Sequence, residues 1–245
     1  MKIALIIPCT SKNRSWTNIK ESYLFNLTFK TFLLSQDKEH EYHFYLGIDN
    51  DDTLFNNLEQ QQIILNFSTV FTNVHSHFII FNNIPKGYLT KMWNQLFLKA
   101  YNDGCNYFYQ CGDDITFHTK GWINDSIKML QQHNNVGLTG PINNNHTILT
   151  QAFVSRRHMD IFGYFFPENI INWCCDDWYN HVYKPDLFFP LHNHYCSNDG
   201  GNPRYEIDNN PNFIDEIQKN VYELRKKTEI QGIHDRNKIV KFINK

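Results

Sequence analysis

Residues 88–114 read YLTKMWNQLFLKAYNDGCNYFYQCGDD, and this stretch decides the fold class. Residues 88–102 carry apolar side chains at helical spacing, and Gly104 just beyond them is a typical helix stop. Residues 107–111 (YFYQC) then form a short aromatic run with the character of a buried strand, cut off by Gly112-Asp113-Asp114. A helix joined by a few residues to a strand that ends in a polar turn is one half of a right-handed βαβ unit.

The same alternation extends towards the amino terminus. Residues 2–8 (KIALIIP) predict a buried strand and 21–34 a helix. Residues 42–48 (YHFYLGI) predict a second strand ending in the acidic turn Asp49-Asn50-Asp51-Asp52; a helix to about residue 62 and a strand over 77–81 follow. Towards the carboxyl terminus the expectations are a helix over 122–132, a short strand and turn over 136–141, and a strand over 148–154. A short helix over 176–183, a strand over 187–191, a long loop over 192–211 and a helix over 213–227 complete the chain. The pattern predicts an α/β fold, a Rossmann-like, mostly parallel central sheet flanked by helices. Ligands of such sheets bind beyond the carboxyl ends of the strands, and three of those ends are chemically loaded: Pro8-Cys9-Thr10, Asp49 to Asp52, and Gly112-Asp113-Asp114.

Composition fits this reading. The 245 residues are 41% hydrophobic and 20% charged, enough to bury a full core, and the 16% aromatic share suits clefts that stack on rings or sugars. A net charge of −2 makes no demand for nucleic acid as a partner. From Lys219 onward eight Lys or Arg stand against three acids, so the carboxyl end is locally basic. It reads as a solvated amphipathic helix, with peripheral contact to a membrane surface as the alternative. Cys9, Cys105, Cys111, Cys174, Cys175 and Cys196 show no disulfide spacing, and the grouping of Cys174, Cys175, His192, His194 and Cys196 has no C-x-x-C pair of the kind that marks structural zinc. The apolar run over 3–9 is too short for a signal peptide and no stretch approaches a membrane span, so a cytoplasmic protein is expected.

Adjacent carboxylates after a buried strand serve as turn formers, but they also supply the hard oxygen ligands that Mg²⁺ or Mn²⁺ require when a diphosphate is to be held. Gly87, Lys91 and Asn94, the run Tyr107 to Asp114, Gln151 to Arg157, Ile161-Phe162-Gly163 and Asp176-Asp177-Trp178 occur in an order that resembles the GT-A fold glycosyltransferases, family 2 in particular, over roughly residues 1–190. The resemblance implies a single catalytic domain over 1–211, with a nucleotide-sugar-binding half (1–114) and an acceptor-side half (115–211), followed by a basic helical tail over 212–245. It implies metal-dependent transfer of a sugar from a nucleotide-diphosphate donor, a UDP-sugar by preference, to a hydroxyl of a glycan, protein or lipid-linked acceptor, with inversion.

On the same footing Asp113 and Asp114 hold Mn²⁺ or Mg²⁺, joined by His192 and His194. Pro8, Cys9, Thr10, Asp49, Lys91, Asn94, Asp113 and Arg156 face the nucleotide-sugar. Asp177, with Asp176 beside it, is the base that takes the acceptor proton. The family's Asp-x-Asp motif is incomplete, because Cys111 or Gly112 stands where its first aspartate belongs. That departure keeps open a non-catalytic domain that binds glycan or a partner. A sugar nucleotidyltransferase is disfavoured, because residues 8–12 (PCTSK) lack the glycine-rich loop.

Overall fold

The computed structural model describes residues 1–145, 147–201 and 213–244. Eight strands form a sheet in the order β3-β2-β1-β4-β7-β6-β8-β5. They are β1 (Lys2–Cys9), β2 (Glu41–Asp49), β3 (Val74–Phe81), β4 (Tyr107–Gln110), β5 (Ile115–Phe117), β6 (Leu138–Ile142), β7 (Ala152–Ser155) and β8 (Phe188–Asn198). The β3-β2-β1-β4 half is wholly parallel. β7 pairs antiparallel with both β4 and β6, β6 pairs parallel with β8, and β5 closes the far edge antiparallel to β8. The helices are α1 (Lys30–Ser35), α2 (Leu58–Ser68), α3 (Leu89–Asn102), α4 (Trp122–Gln132), α5 (Arg157–Phe162), α6 (Cys175–Tyr183) and α7 (Phe213–Ile243).

The continuous apolar strands are explained by burial on both faces. Along β1, Ile3, Leu5, Ile7 and Cys9 point into one core with α2, α4 and the segment around α1, while Ala4 and Ile6 point into a second core with α3, α5 and α6. In β2, Tyr42, Phe44, Leu46 and Ile48 face the first core and Tyr45 the second. Gly47 is the exception that packing requires, because a Cβ there would run into the Phe81 ring and lie 3.1 Å from Leu96 of α3. Its bare backbone lets the β3 ring and α3 share one patch of sheet.

Several boundaries differ from the sequence expectation. The helix expected over 21–34 is split into a 3₁₀ turn capped by Asn18, a π-helical segment (Leu24–Phe29) and α1. The loop expected from residue 192 is strand as far as Asn198, and its residues 202–211 lie outside the described residues, as does the boundary at 211/212. The basic carboxyl segment is docked against α6. Trp178 Nε1 donates to the buried Asp235 (3.2 Å), Lys238 pairs with the same carboxylate (3.0 Å), and Ile239 is buried in the second core. Among the described residues no helix is long and apolar enough to cross a membrane.

Candidate active site

A cleft of about 440 Å³ opens at the carboxyl ends of β1 and β4, walled by Pro8, Trp93, Gln110, Asp113, Asp114 and the segment from Asn172 to Asp176. This is the position that a parallel α/β sheet reserves for a ligand. Polar and aromatic groups share its wall, and the Trp93 indole N–H is buried with no acceptor among the described residues.

Asp113 and Asp114 are nearly buried, at 1% and 9% exposure. β4 ends at Gln110, and the turn that follows swings both carboxylates to the cleft before β5 begins. Two glycines make room for Asp114: a Cβ on Gly112 would lie 2.5 Å from its Oδ1, and a Cβ on Gly200 would overlap its Oδ2. The chain after β8 is folded over this carboxylate. Asp199 N donates to the Asp114 carbonyl (3.0 Å), and Arg14 Nη2 donates to the Gly200 carbonyl (3.0 Å) from the loop after β1.

Asp176 and Asp177 lie in the first turn of α6, where the helix dipole favours negative charge. The residue before the helix, Cys174, has φ 64° and ψ 15°, a left-handed conformation that a non-glycine residue adopts at a cost of about 1–3 kcal/mol. Asp176 lines the cleft, whereas Asp177 is turned to α7, its Oδ2 4.0 Å from Arg225 Nε. Burial, and after it the charge of Asp177, push the Asp176 carboxyl up to about 7. The carboxylate on the cleft is therefore Asp176, the neighbour of the residue singled out by register in the sequence.

The other expected site residues separate into those at the cleft and those elsewhere. Pro8 lines it. Cys9 is buried in the first core, and Thr10 is buried with its Oγ1 3.4 Å from Asp52 Oδ2. Asp49 is half-buried as the last residue of β2, beside the end of β1. Asp52 was not singled out, yet it knits this corner by accepting from Ser11 N (2.6 Å), Ser11 Oγ (2.8 Å) and Phe55 N (2.8 Å). Its signal in the sequence is the capping and turn-forming habit of an aspartate after a strand.

Asn94 is a clamp in α3: its Oδ1 accepts from Phe165 N and Phe166 N, and its Nδ2 donates to the Phe166 carbonyl. Lys91 lies over the Tyr88 ring, 5.5 Å from its centroid, and is not in the cleft wall.

Arg156 and the two histidines are corrected. Ser155 is registered with Tyr107 at the amino end of β4, so Arg156, the next residue, is at the end of the sheet opposite the cleft. Its guanidinium donates to the Tyr101 and Cys105 carbonyls (2.9 and 2.8 Å) and stacks on the Tyr101 ring at 3.8 Å. His194 is in β8, with Nε2 on Asp125 Oδ2 (2.8 Å) and Nδ1 on Thr119 Oγ1 (3.2 Å). His192 is exposed at the irregularity where β8 leaves β6. Neither histidine joins Asp113 and Asp114 in the cleft wall. The six cysteines are all buried, and none is in a disulfide.

No protein-family profile matches the sequence, and no curated protein matches it. Solved structures do. The chain superposes on S. aureus TarS residues 1–349 in complex with UDP (TM-score 0.53, 14% identity, 80% of this chain) and in complex with UDP-GlcNAc (TM-score 0.54, 14% identity, 82% of this chain). It spans 60% of the length of those two TarS chains, and 43% of a longer TarS structure that matches all of it at 13% identity and TM-score 0.53. At 13–14% identity the likeness is one of fold, and it singles out no family.

Proposed function

We propose that this chain is a nucleotide-sugar-dependent glycosyltransferase whose donor lies in the cleft with its diphosphate at Asp113 and Asp114. The observation that carries the reading is the opening of three carboxylates, Asp113, Asp114 and Asp176, onto one cleft at the carboxyl ends of parallel strands. UDP is the favoured nucleotide, because the structures of like fold were solved with UDP and UDP-GlcNAc.

Two nearly buried carboxylates in the cleft wall form a hard-oxygen donor set, which suits Mg²⁺ or Mn²⁺. Asp113 and Asp114 would hold the ion; His192 and His194 are placed elsewhere and are not part of the donor set. A divalent ion supplies charge neutralisation for the departing diphosphate. The protein's own contribution is position and proton transfer. The acceptor hydroxyl attacks the anomeric carbon, the bond from that carbon to the diphosphate oxygen breaks, and the hydroxyl proton passes to Asp176. Attack opposite the leaving group inverts the anomeric centre. A carboxyl with a proton affinity near neutrality is matched to that task, because it is ionised often enough to accept and basic enough to drive the transfer.

The direct test is a screen of nucleotide-sugars for slow hydrolysis, detecting released nucleoside diphosphate, which needs no knowledge of the acceptor. Release from one or a few donors, abolished by Asp113→Ala together with Asp114→Ala, is expected. A folded protein that turns over no donor and binds no nucleotide would refute the proposal.

A further inference from the structure

A second group of chemistry-bearing residues lies at the amino-terminal ends of β2 and β3, at the far end of the strands from the cleft. Side chains alternate along a strand, so Glu41, His43 and Tyr45 share one face of β2, and His75 and His77 share the same face of β3. The parallel register sets His43 beside His75 and Tyr45 beside His77. The His43 ring stacks on His75 (centroids 4.7 Å) and on His77 (5.1 Å). His43 Nε2 is 2.8 Å from Glu41 Oε1, and His75 Nε2 is 3.5 Å from the same oxygen. One ligand atom from each of Glu41, His43 and His75 falls within 4.8 Å of the others.

We propose that Glu41, His43 and His75 form a Zn²⁺ site that ties the edge strand β3 to β2. Two imidazoles and one carboxylate are a ligand set for zinc, with bonds of about 2.0–2.2 Å and hence ligand atoms about 3.4 Å apart in a tetrahedron. The 3.5 Å separation already matches, and the 2.8 Å separation needs to open by about half an ångström.

Support comes from the surroundings. His43 Nδ1 is 2.8 Å from His77 Nε2, so with Nε2 given to the metal, Nδ1–H donates to His77. That is the outer partner a zinc-bound histidine ordinarily has. The approach is open as well: Glu41 and His75 border a surface depression of about 580 Å³ that gives an ion a route in and room for a water as fourth ligand. Their side chains are about half exposed, against 7% for His43, so the outer two ligands can be changed without disturbing the core.

The experiment titrates the metal-stripped, untagged protein with Zn²⁺ in chelator-buffered solution, and in parallel with Co²⁺, whose visible absorption is intense when it is four-coordinate. One equivalent is expected to bind, raising the melting temperature of the wild type. His75→Ala and Glu41→Gln should each weaken Zn²⁺ binding at least about tenfold, and His77→Gln by about 10–100-fold as a loss of outer-shell support. Circular dichroism of the metal-free variants is expected to match the wild type. Equal Zn²⁺ affinity in the wild type and the His75→Ala/Glu41→Gln double variant, or no stoichiometric binding by the wild type, would overturn the site. UDP binding should be unchanged in all of these variants, which separates this outcome from any failure of the transferase reading.

Discussion

At the residue scale, the two carboxylates at the start of α6 face different surroundings. Asp176 is on the cleft and its proton affinity is pushed up to about 7, first by burial and then by Asp177, whereas Asp177 faces Arg225. Asp176→Asn should therefore lower transfer by about 10²-fold or more with UDP affinity retained, and Asp177→Asn should lower it much less. A larger loss for Asp177→Asn, measured with the same donor and acceptor, would return the base to Asp177. The pH profile follows from the same group: transfer by the wild type should rise with pH through about 7 and level off. The sign for stability is the reverse. A carboxyl whose proton affinity is raised by folding stabilises the fold fully below its unfolded value of about 3.8 and loses that contribution as pH climbs through about 7. Thermal melts across that window should show the alkaline decline in the wild type and its reduction in Asp176→Asn. Gly200→Ala makes a separate prediction, since the added methyl would overlap Asp114 Oδ2. Donor binding should fall to the level of Asp114→Ala while the fold persists, and unchanged binding would detach Asp114 from the donor. The Asp pairs were legible in the sequence because charge after a buried strand stands out. Which member of a pair faces inward was not, because it depends on the helical turn and on Arg225, a residue 48 positions further along. Arg156 misled for a related reason: it adjoins β7, and nothing local tells that β7 runs antiparallel to β4 and so carries Arg156 to the wrong end.

At the element scale, strands with continuous apolar runs (β1, β2 and β4) were readable because both faces are buried. β5 has three residues and too little period to detect. β8 continues as HNHYCSN, whose polar side chains mimic a loop, yet its residues 196–198 pair with β5. The packing of α3 on β2 and β3 depends on Gly47. Gly47→Ala should destabilise the protein by about 1–3 kcal/mol, the usual scale of overpacking, read as a lower denaturant midpoint with unchanged slope. No change in the midpoint would mean that Phe81 moves aside at no cost. The contact of α7 with α6 also has a pH signature. Burial alone would raise the proton affinity of Asp235, but bonds from Gln231, Lys238 and Trp178 hold it below the usual carboxylate value. Its contribution is thus present above the unfolded value near 3.8 and lost as pH falls below it. Asp235→Ala should cost about 1–3 kcal/mol at neutral pH by leaving the Trp178 indole unpaired. It should also flatten the acid limb of the stability curve, and a variant as stable as wild type with an unaltered acid limb would show that this bond contributes nothing.

At the scale of the whole molecule, the alternation of strands and helices sufficed for the α/β class and for the end of the sheet where a ligand belongs. Closure of the cleft was out of reach of any local pattern, because it brings Arg14 to Gly200 and Gly200 to Asp114 from three distant parts of the chain. The proposed function has this assembly hold the diphosphate of a nucleotide-sugar at Asp113 and Asp114 through a divalent ion. It is tested most directly by calorimetry of UDP binding with and without Mn²⁺, on the wild type and on Asp113→Ala/Asp114→Ala. Saturable one-site binding of UDP that strengthens at least about tenfold with Mn²⁺ is expected in the wild type, with loss of that Mn²⁺ effect in a folded double variant. UDP binding that is absent, or equally strengthened by Mn²⁺ in the double variant, would contradict it.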